Sequence, residues 1–331
     1  MAEIDIFNPP VTKLAKGLAG KSMMWYSQNR CGKSLQASRM PKPLFFSFEA
    51  GLNAQDGIPY VTIEKWGDFI RYVKKLVKDK ERTLETFQTI VVDTVDVAAK
   101  KCEEFMCDRF GVERINDAFK GFGCWGLYED EFFKPFLSLT QIGVTVIFLA
   151  HESTKEFKSE TGEEYTKIFP RGDKRTVEKL LDLVDLIVYI SPNDPVDGKE
   201  VYSTAYFKNN RKFHSGSRFD EMPDSLFPFT AEGLEEAIIE AIEKKEAKTG
   251  HKAISFAQQQ MERSTERKSF EELVSEIKEI ATQLNKEDRI GEYKEIIEQY
   301  LGKDSSVKDA TPKQSQQLEL ILDDLKDLIS S

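Results

Sequence analysis

The stretch SQNRCGKSL, Ser27 to Leu35, ends as a phosphate-binding loop ends but begins differently. In the pattern GxxxxGK[ST], successive backbone N–H groups face an anion, the lysine reaches the terminal phosphates and the hydroxyl binds magnesium. Gly32, Lys33 and Ser34 fill the chemical positions, Ser27, Asn29, Arg30 and Cys31 complete the cradle, and serine stands at 27 where the pattern has glycine. The first glycine mainly eases the turn, so the chemistry expected here is binding of ATP with Mg2+.

Two further residue groups extend this chemistry. TIVVDTVD ends an apolar run with Asp93 and Thr94, where a carboxylate orients magnesium through a water. LFFSFEAG ends in Glu49, a carboxylate placed to align and deprotonate a water for attack on the γ-phosphate. An aspartate at a strand end is common in α/β proteins, so Asp93 gains its meaning from the company of the loop.

These residues need elements to hold them. MMWY (23–26), LFFSF (44–48), TIVVD (89–93), VTVIFLA (144–150), LIVYI (186–190) and VYSTAYF (201–207) read as strands separated by helix-length amphipathic stretches. Several are apolar throughout, as when helices cover both sheet faces, and the alternation predicts an α/β domain with a largely parallel sheet. Ligands in such sheets sit at the carboxyl ends of the strands, where Ser27, Glu49 and Asp93 fall.

After Phe229 the pattern is helical only. Ser269 with Glu272 forms a capping box ahead of Leu273, Ile277, Ile280 and Leu284. A second stripe runs through Tyr293, Ile296, Ile297, Tyr300 and Leu301, and a third helix is predicted to open at Thr311, Pro312 and Gln314. The organisation expected is an ATPase core over 1–230, a helix and polar linker over 231–268, and a small acidic helical bundle over 269–331.

PLFFSFEAG, TIVVDTVDVA and VTVIFLAHES together resemble the three core strands of RecA-like ATPases, especially the short phage RecA/RadA-like ATPases linked to single-strand annealing and recombination. The resemblance runs from Val11 to Phe229 and implies a RecA-like P-loop core. It places the water-activating glutamate at Glu49 and the γ-phosphate sensor at His151, where RecA itself carries glutamine. FKNNRK (207–212) resembles the region that supplies cationic fingers to a neighbour's ATP, which falls on Lys208 and Arg211 and implies a homo-oligomer, a ring or a filament.

KEFKSETGEEYTKIF alternates around Thr161 and Gly162 as a hairpin does. The resemblance makes this a DNA-binding loop region. Lys155, Lys158 and Lys167, interleaved with Phe157, Tyr165 and Phe169 and followed by Arg171, Lys174 and Arg175, give the mix of charge and rings that suits single-stranded DNA. Glu156, Glu160, Glu163 and Glu164 dilute that charge. FKGFGCWGLY (119–128) occupies the place of a first DNA loop, with buried packing at a tight turn as the competing reading.

Composition narrows the rest. The 331 residues are 40% hydrophobic and 31% charged, and no apolar run approaches a membrane span. MAEIDIFNPP lacks the layout of a signal peptide, so a cytoplasmic protein is expected, in the host cytoplasm if phage-encoded. Cys31, Cys102, Cys107 and Cys124 make no CxxC pair and are read as reduced, apolar side chains. Net charge is −10, and roughly eight of those charges lie in 231–331, so nucleic acid would need a local basic patch. The acidic helices fit a docking module for a single-strand-binding or other recombination protein, a brake on the basic loops, or a cap. Two alternatives to a DNA-recombination ATPase stand open: a P-loop ATPase working on protein partners, and an annealing scaffold whose nucleotide is structural or absent.

Overall fold

The computed structural model describes residues 7, 9, 11–49, 56–194, 202–263 and 268–330. The chain divides into two compact units, Pro10–Glu262 and a second comprising Arg263–Ser331 with Met1–Pro9.

In the larger unit the order is β1 (Ser22–Ser27), α1 (Lys33–Ser38), β2 (Pro43–Ser47), β3 (Tyr60–Thr62), α2 (Trp66–Lys78), α3 (Lys80–Thr86), β4 (Thr89–Asp93) and α4 (Val95–Phe110). There follow α5 (Ala118–Gly121), α6 (Trp125–Ile142), β5 (Thr145–Lys158), β6 (Glu164–Pro170), α7 (Val177–Leu183) and β7 (Leu186–Ser191). The unit closes with β8 (Thr204–Tyr206), β9 (Gly216–Ser217), β10 (Ser225–Leu226), α8 (Ala231–Thr249) and α9 (Phe256–Arg263). The main sheet runs β10-β8-β7-β1-β5-β4-β2-β3. From β7 to β3 every pairing is parallel, whereas β8, β9 and β10 join antiparallel at one side. This is the α/β core expected, with β3 as an added edge.

Period-two alternation sends successive side chains of each strand into different cores. Met24, Tyr26, Phe46, Val92 and Phe148 meet the helices carrying Trp66, Phe69, Cys102, Phe132 and Phe136. Met23, Trp25, Phe45, Val91 and Leu149 meet Ala37 of α1 and Leu234, Ile238 and Ile242 of α8. Both faces are therefore dry, and the strands are apolar throughout for that reason. All four cysteines are buried free thiols.

The larger unit extends past the boundary expected at 230. The apolar face of α8 completes the second core, and the Ala231 N–H donates to Gln36 Oε1 at 2.9 Å, so this helix belongs to the sheet. The stretch 251–262 also docks. Lys16 N–H donates to Ile254 O at 2.9 Å and Ile254 N–H to Leu14 O at 3.0 Å, which ties it to the segment before β1. β5 outruns its apolar half because Glu152–Lys158 leave the core and pair only with β6, in the antiparallel hairpin expected around Thr161 and Gly162.

The smaller unit contains α10 (Phe270–Lys286), α11 (Ile290–Leu301) and α12 (Ser315–Ser330). Its core is Leu273, Ile277, Leu284, Ile297, Leu318, Ile321, Leu322 and Leu325. The Ser269 box is formed: Ser269 Oγ accepts from Glu272 N–H at 3.2 Å, and Glu272 Oε2 from Ser269 N–H at 2.7 Å. Pro312 opens a 3-10 turn rather than the helix, which starts at Ser315. Among the described residues no helix is long and apolar enough to cross a membrane.

Phe256 seats its ring against two glycines. A Cβ on Gly20, at φ +70°, would stand 2.0 Å from the ring, and one on Gly143 3.0 Å from it. Gly20→Ala is expected to displace the ring and cost about 1–3 kcal/mol. In thermal melts Gly20→Ala made on a Phe256→Ala background should cost less than in the native chain, and full additivity would show that the ring does not occupy this seat.

Candidate nucleotide site

Ser27 is the last residue of β1, fully buried and paired in register with His151. Its hydroxyl donates to Gln28 O at 2.7 Å and accepts from Lys33 Nζ at 2.8 Å. The ammonium donates as well to Ser27 O at 3.2 Å and Gln28 O at 2.8 Å. Serine at the first loop position thus serves as a third oxygen in the cage around the lysine. Arg30 and Gly32 take left-handed backbone at φ 64° and 82°, a winding that turns N–H groups into an anion-binding concavity. Cys31 is buried, and its carbonyl accepts from Ser203 Oγ at 3.1 Å, while Asn29 and Arg30 are exposed on the outer turn.

The acid strand ends beside this loop. Asp93 is buried and its Oδ2 accepts from Ser34 Oγ at 3.2 Å. Burial raises its pKa, the nearby Glu49 charge adds to that, and the Ser34 hydrogen bond and Lys33 oppose it. Phe48 N–H donates to Asp93 O at 2.7 Å, carrying the chain out of β2 so that Glu49 follows at the same edge. Thr94 Oγ1 donates to Glu49 Oε1, and Glu49 Oε2 lies 3.9 Å from His151 Nε2. The imidazole holds the Glu49 carboxyl below the ordinary glutamate range, helped by Thr94 and opposed by partial burial. Burial pulls the Lys33 pKa down. Lys33, Ser34, Asp93, Glu49 and His151, drawn from four different strand ends, therefore converge.

Hard oxygen donors beside a buried carboxylate suit magnesium, and a caged ammonium suits phosphate. Ser34 and Asp93 are the groups that would hold the ion, directly and through water.

The expected cations divide. Lys155 pairs with Glu178 at 2.7 Å and lies 4.8 Å from the Phe169 ring centroid. Lys158 faces Glu164 at 3.9 Å, and Lys167 donates to Asn209 Oδ1 at 2.8 Å. Lys174 is exposed, and Arg175 pairs with Glu129 at 3.1 Å while lying 4.5 Å from the Trp125 ring centroid. Lys208 pairs with Asp224 at 3.1 Å and Arg211 with Glu163 at 2.6 Å, and neither bonds to residues 27–34 of its own chain. Arg171 lies apart from this group: its N–H donates to His151 O at 2.6 Å and its Nε to Asp96 Oδ2 at 2.9 Å, at the nucleotide site. The segment 119–128 is split. Tyr128 is buried and donates to Ala99 O at 3.2 Å, whereas Phe122 is 89% exposed.

Two participants, Asp96 and Tyr26, escaped the sequence reading, while Thr94, read there beside Asp93, gains its part from the bond to Glu49. Asp96 stands three residues past Asp93 in VVDTVD, and that proximity was the available signal. Tyr26 looked like one more apolar strand residue, yet its hydroxyl donates to His214 O and, at 3.3 Å, to Ile168 O, joining the strand before the loop to the hairpin.

Two outcomes follow from this geometry. Because burial raises the Asp93 pKa, ionisation weighs against folding above that raised value, and the cost vanishes as pH falls below the ordinary aspartate value of 3.8. Asp93→Asn should therefore melt at or above the native temperature at pH 7 while losing magnesium-dependent stabilisation by nucleotide; a lower melting point, or retained dependence on magnesium, would contradict this. Ser27→Gly removes one of the three oxygens that accept from the Lys33 ammonium and leaves the two carbonyls, so nucleotide affinity measured by titration should fall by no more than about 100-fold.

Residues 19–219 match the AAA_24 family, described as an AAA domain. The chain is 41% identical over 328 residues to the SPbeta prophage-derived uncharacterized protein YorG of Bacillus subtilis (strain 168), covering 99% of each. Among solved structures it aligns with the KaiC-like protein PH0186 of Pyrococcus horikoshii OT3 at 13% identity and a TM-score of 0.32, over 60% of this chain and 88% of that one. With the phosphate loop and the acid strand inside the matched span, the chain belongs to the AAA domain family and carries a P-loop nucleotide-binding core.

Proposed function

We propose that this chain is a phage-type, magnesium-dependent ATPase that binds single-stranded DNA and promotes annealing or strand pairing as an oligomer. The observation that carries this reading is the course of the β5–β6 hairpin. It grows from the strand that ends its buried half beside Glu49 at His151, and it returns to His151 O through the Arg171 N–H. Whatever grips the hairpin therefore pulls on the hydrolysis residues. The prophage-derived relative supports the phage origin.

In this account Lys33 binds the terminal phosphates. Magnesium, when bound, neutralises charge on the β- and γ-phosphate oxygens. Glu49, oriented by Thr94, takes a proton from the attacking water as the bond from the γ-phosphorus to the bridging oxygen breaks. His151 senses the change next to Glu49 and passes it to β5. Lys208 and Arg211, which do not bond to their own loop, would serve a neighbouring copy, making turnover depend on assembly.

DNA would meet two surfaces. Phe122, with Trp125 under Arg175, offers rings and charge for stacking, and Lys174 adds a cation. The hairpin offers Phe157, Tyr165 and Phe169 in a stack with centroids 5.7 and 5.3 Å apart. A second reading is favoured by one observation: two of the three hairpin lysines, Lys155 and Lys158, already face acids, Glu178 and Glu164, and the hairpin's Glu163 pairs with Arg211. That neutralisation fits an ATPase working on a protein partner, with the acidic helical unit as its docking module.

Steady-state ATP turnover with and without a thymidine oligonucleotide separates the two. The DNA reading expects several-fold stimulation, strand binding that weakens steeply with salt, and a loss of about 1–3 kcal/mol of strand affinity in Phe122→Ala. No stimulation together with no salt-sensitive binding would leave the protein-partner reading.

A further inference from the structure

Arg171 sits in the sequence among cations that suit a nucleic-acid strand, and its surroundings are those of the phosphate site. Its backbone N–H is bonded to His151 O at 2.6 Å, so it moves with the residue beside Glu49. Its Nε is bonded to Asp96 Oδ2 at 2.9 Å, and Asp96 lies in the first turn of α4, three residues past Asp93. Asp96 is 8% exposed, and its Oδ1 is buried with no hydrogen-bond partner. The chain just after Arg171 is fixed too. A Cβ on Gly172 would stand 2.3 Å from Val177, and Asp173 Oδ1 accepts from the N–H groups of Arg175 at 2.8 Å and Thr176 at 3.0 Å.

Held from the Nε side, the guanidinium makes no hydrogen bond through its two Nη groups to any described residue. The guanidinium is half exposed beside the buried Asp96 carboxylate, on the chain that leaves the edge where Glu49 and His151 lie 3.9 Å apart. A guanidinium fork matches a phosphate in a way a lysine does not, and it keeps its charge at any working pH.

We infer that Arg171 is a γ-phosphate ligand supplied by the same chain that holds the nucleotide, with Asp96 as the positioning residue that aims it. This rests on the P-loop ATPase reading and goes beyond it: the site then carries a cation of its own, in addition to whatever a neighbouring copy supplies. A cation there stabilises charge on the phosphoryl oxygens in the transition state.

The test compares ATP and ADP affinity by titration with fluorescent nucleotides, together with turnover and single-strand binding, in the full-length native chain, Arg171→Ala, Arg171→Lys and Asp96→Asn. A γ-phosphate ligand predicts that Arg171→Ala weakens ATP at least about tenfold and leaves ADP within about twofold, with turnover lower by about 10²–10³. Asp96→Asn should reproduce the ATP-over-ADP pattern more weakly, and Arg171→Lys should recover only part of the loss because the charge returns without the fork. Unchanged ADP affinity also reports an intact fold, and Arg171→Lys carries the comparison if Arg171→Ala unfolds. Equal loss of ATP and ADP, or unchanged nucleotide affinity with weakened strand binding, would overturn the assignment. A native chain that binds neither nucleotide would overturn the ATPase reading itself and this inference with it.

Discussion

The parallel register of four strands is the constraint on which the rest depends. Ser27 pairs with His151, Ser47 with Asp93 and Asp93 with Leu149, so β1, β4 and β2 stop at one edge in step with the end of the buried half of β5. A slip of one residue in any pair would carry a site side chain onto the opposite face and exchange the residues packed in the two cores. The register is secured by burial on both faces, with Trp25 and Phe45 in one core and Tyr26 and Phe46 in the other, all of them fully buried. The chemistry is thus placed by hydrophobic packing that contains none of the chemical groups.

That placement has an electrostatic cost. Lys33 and Asp93 are both largely removed from water, and each is displaced toward its neutral form by burial. Serine hydroxyls partly offset this, Ser27 at the ammonium and Ser34 at the carboxylate. A bound phosphate and its counter-ion would relieve both charges together, which is how a site gains affinity for a charged ligand from a fold that tolerates it poorly empty of charge. Glu49 is the opposite case, since His151 and Thr94 favour its ionised form. The hairpin shares this frame, since Tyr26, one residue before Ser27, donates to Ile168 O and His214 O.

Much of this was legible in the sequence. The strands, the hairpin, the loop, Asp93, Glu49 and the helical stripes follow from apolar periodicity and motif spacing, because those signals are local. What sequence could not show depends on distant packing. Helix α8 reads as the start of a separate helical region, and only the core beneath Leu234, Ile238 and Ile242 assigns it to the sheet. Pro312 has the form of a helix start, yet the preceding turn takes it up as 3-10. Arg171 and Arg175 look alike in RGDKRT, and their partners Asp96 and Glu129 lie 75 and 46 residues away. Ser27 departs from the glycine of the loop pattern, and only the folded chain brings its hydroxyl among the oxygens around Lys33.

The central claim is that this edge is a hydrolysis site whose base is Glu49. The most direct measurement is a single-turnover assay with the Glu49→Gln chain and radiolabelled ATP, following bound nucleotide and released phosphate in the same sample. The account predicts native-like ATP binding with phosphate release slowed by about 10²-fold or more, as loss of a general base requires. Release at the native rate would contradict it.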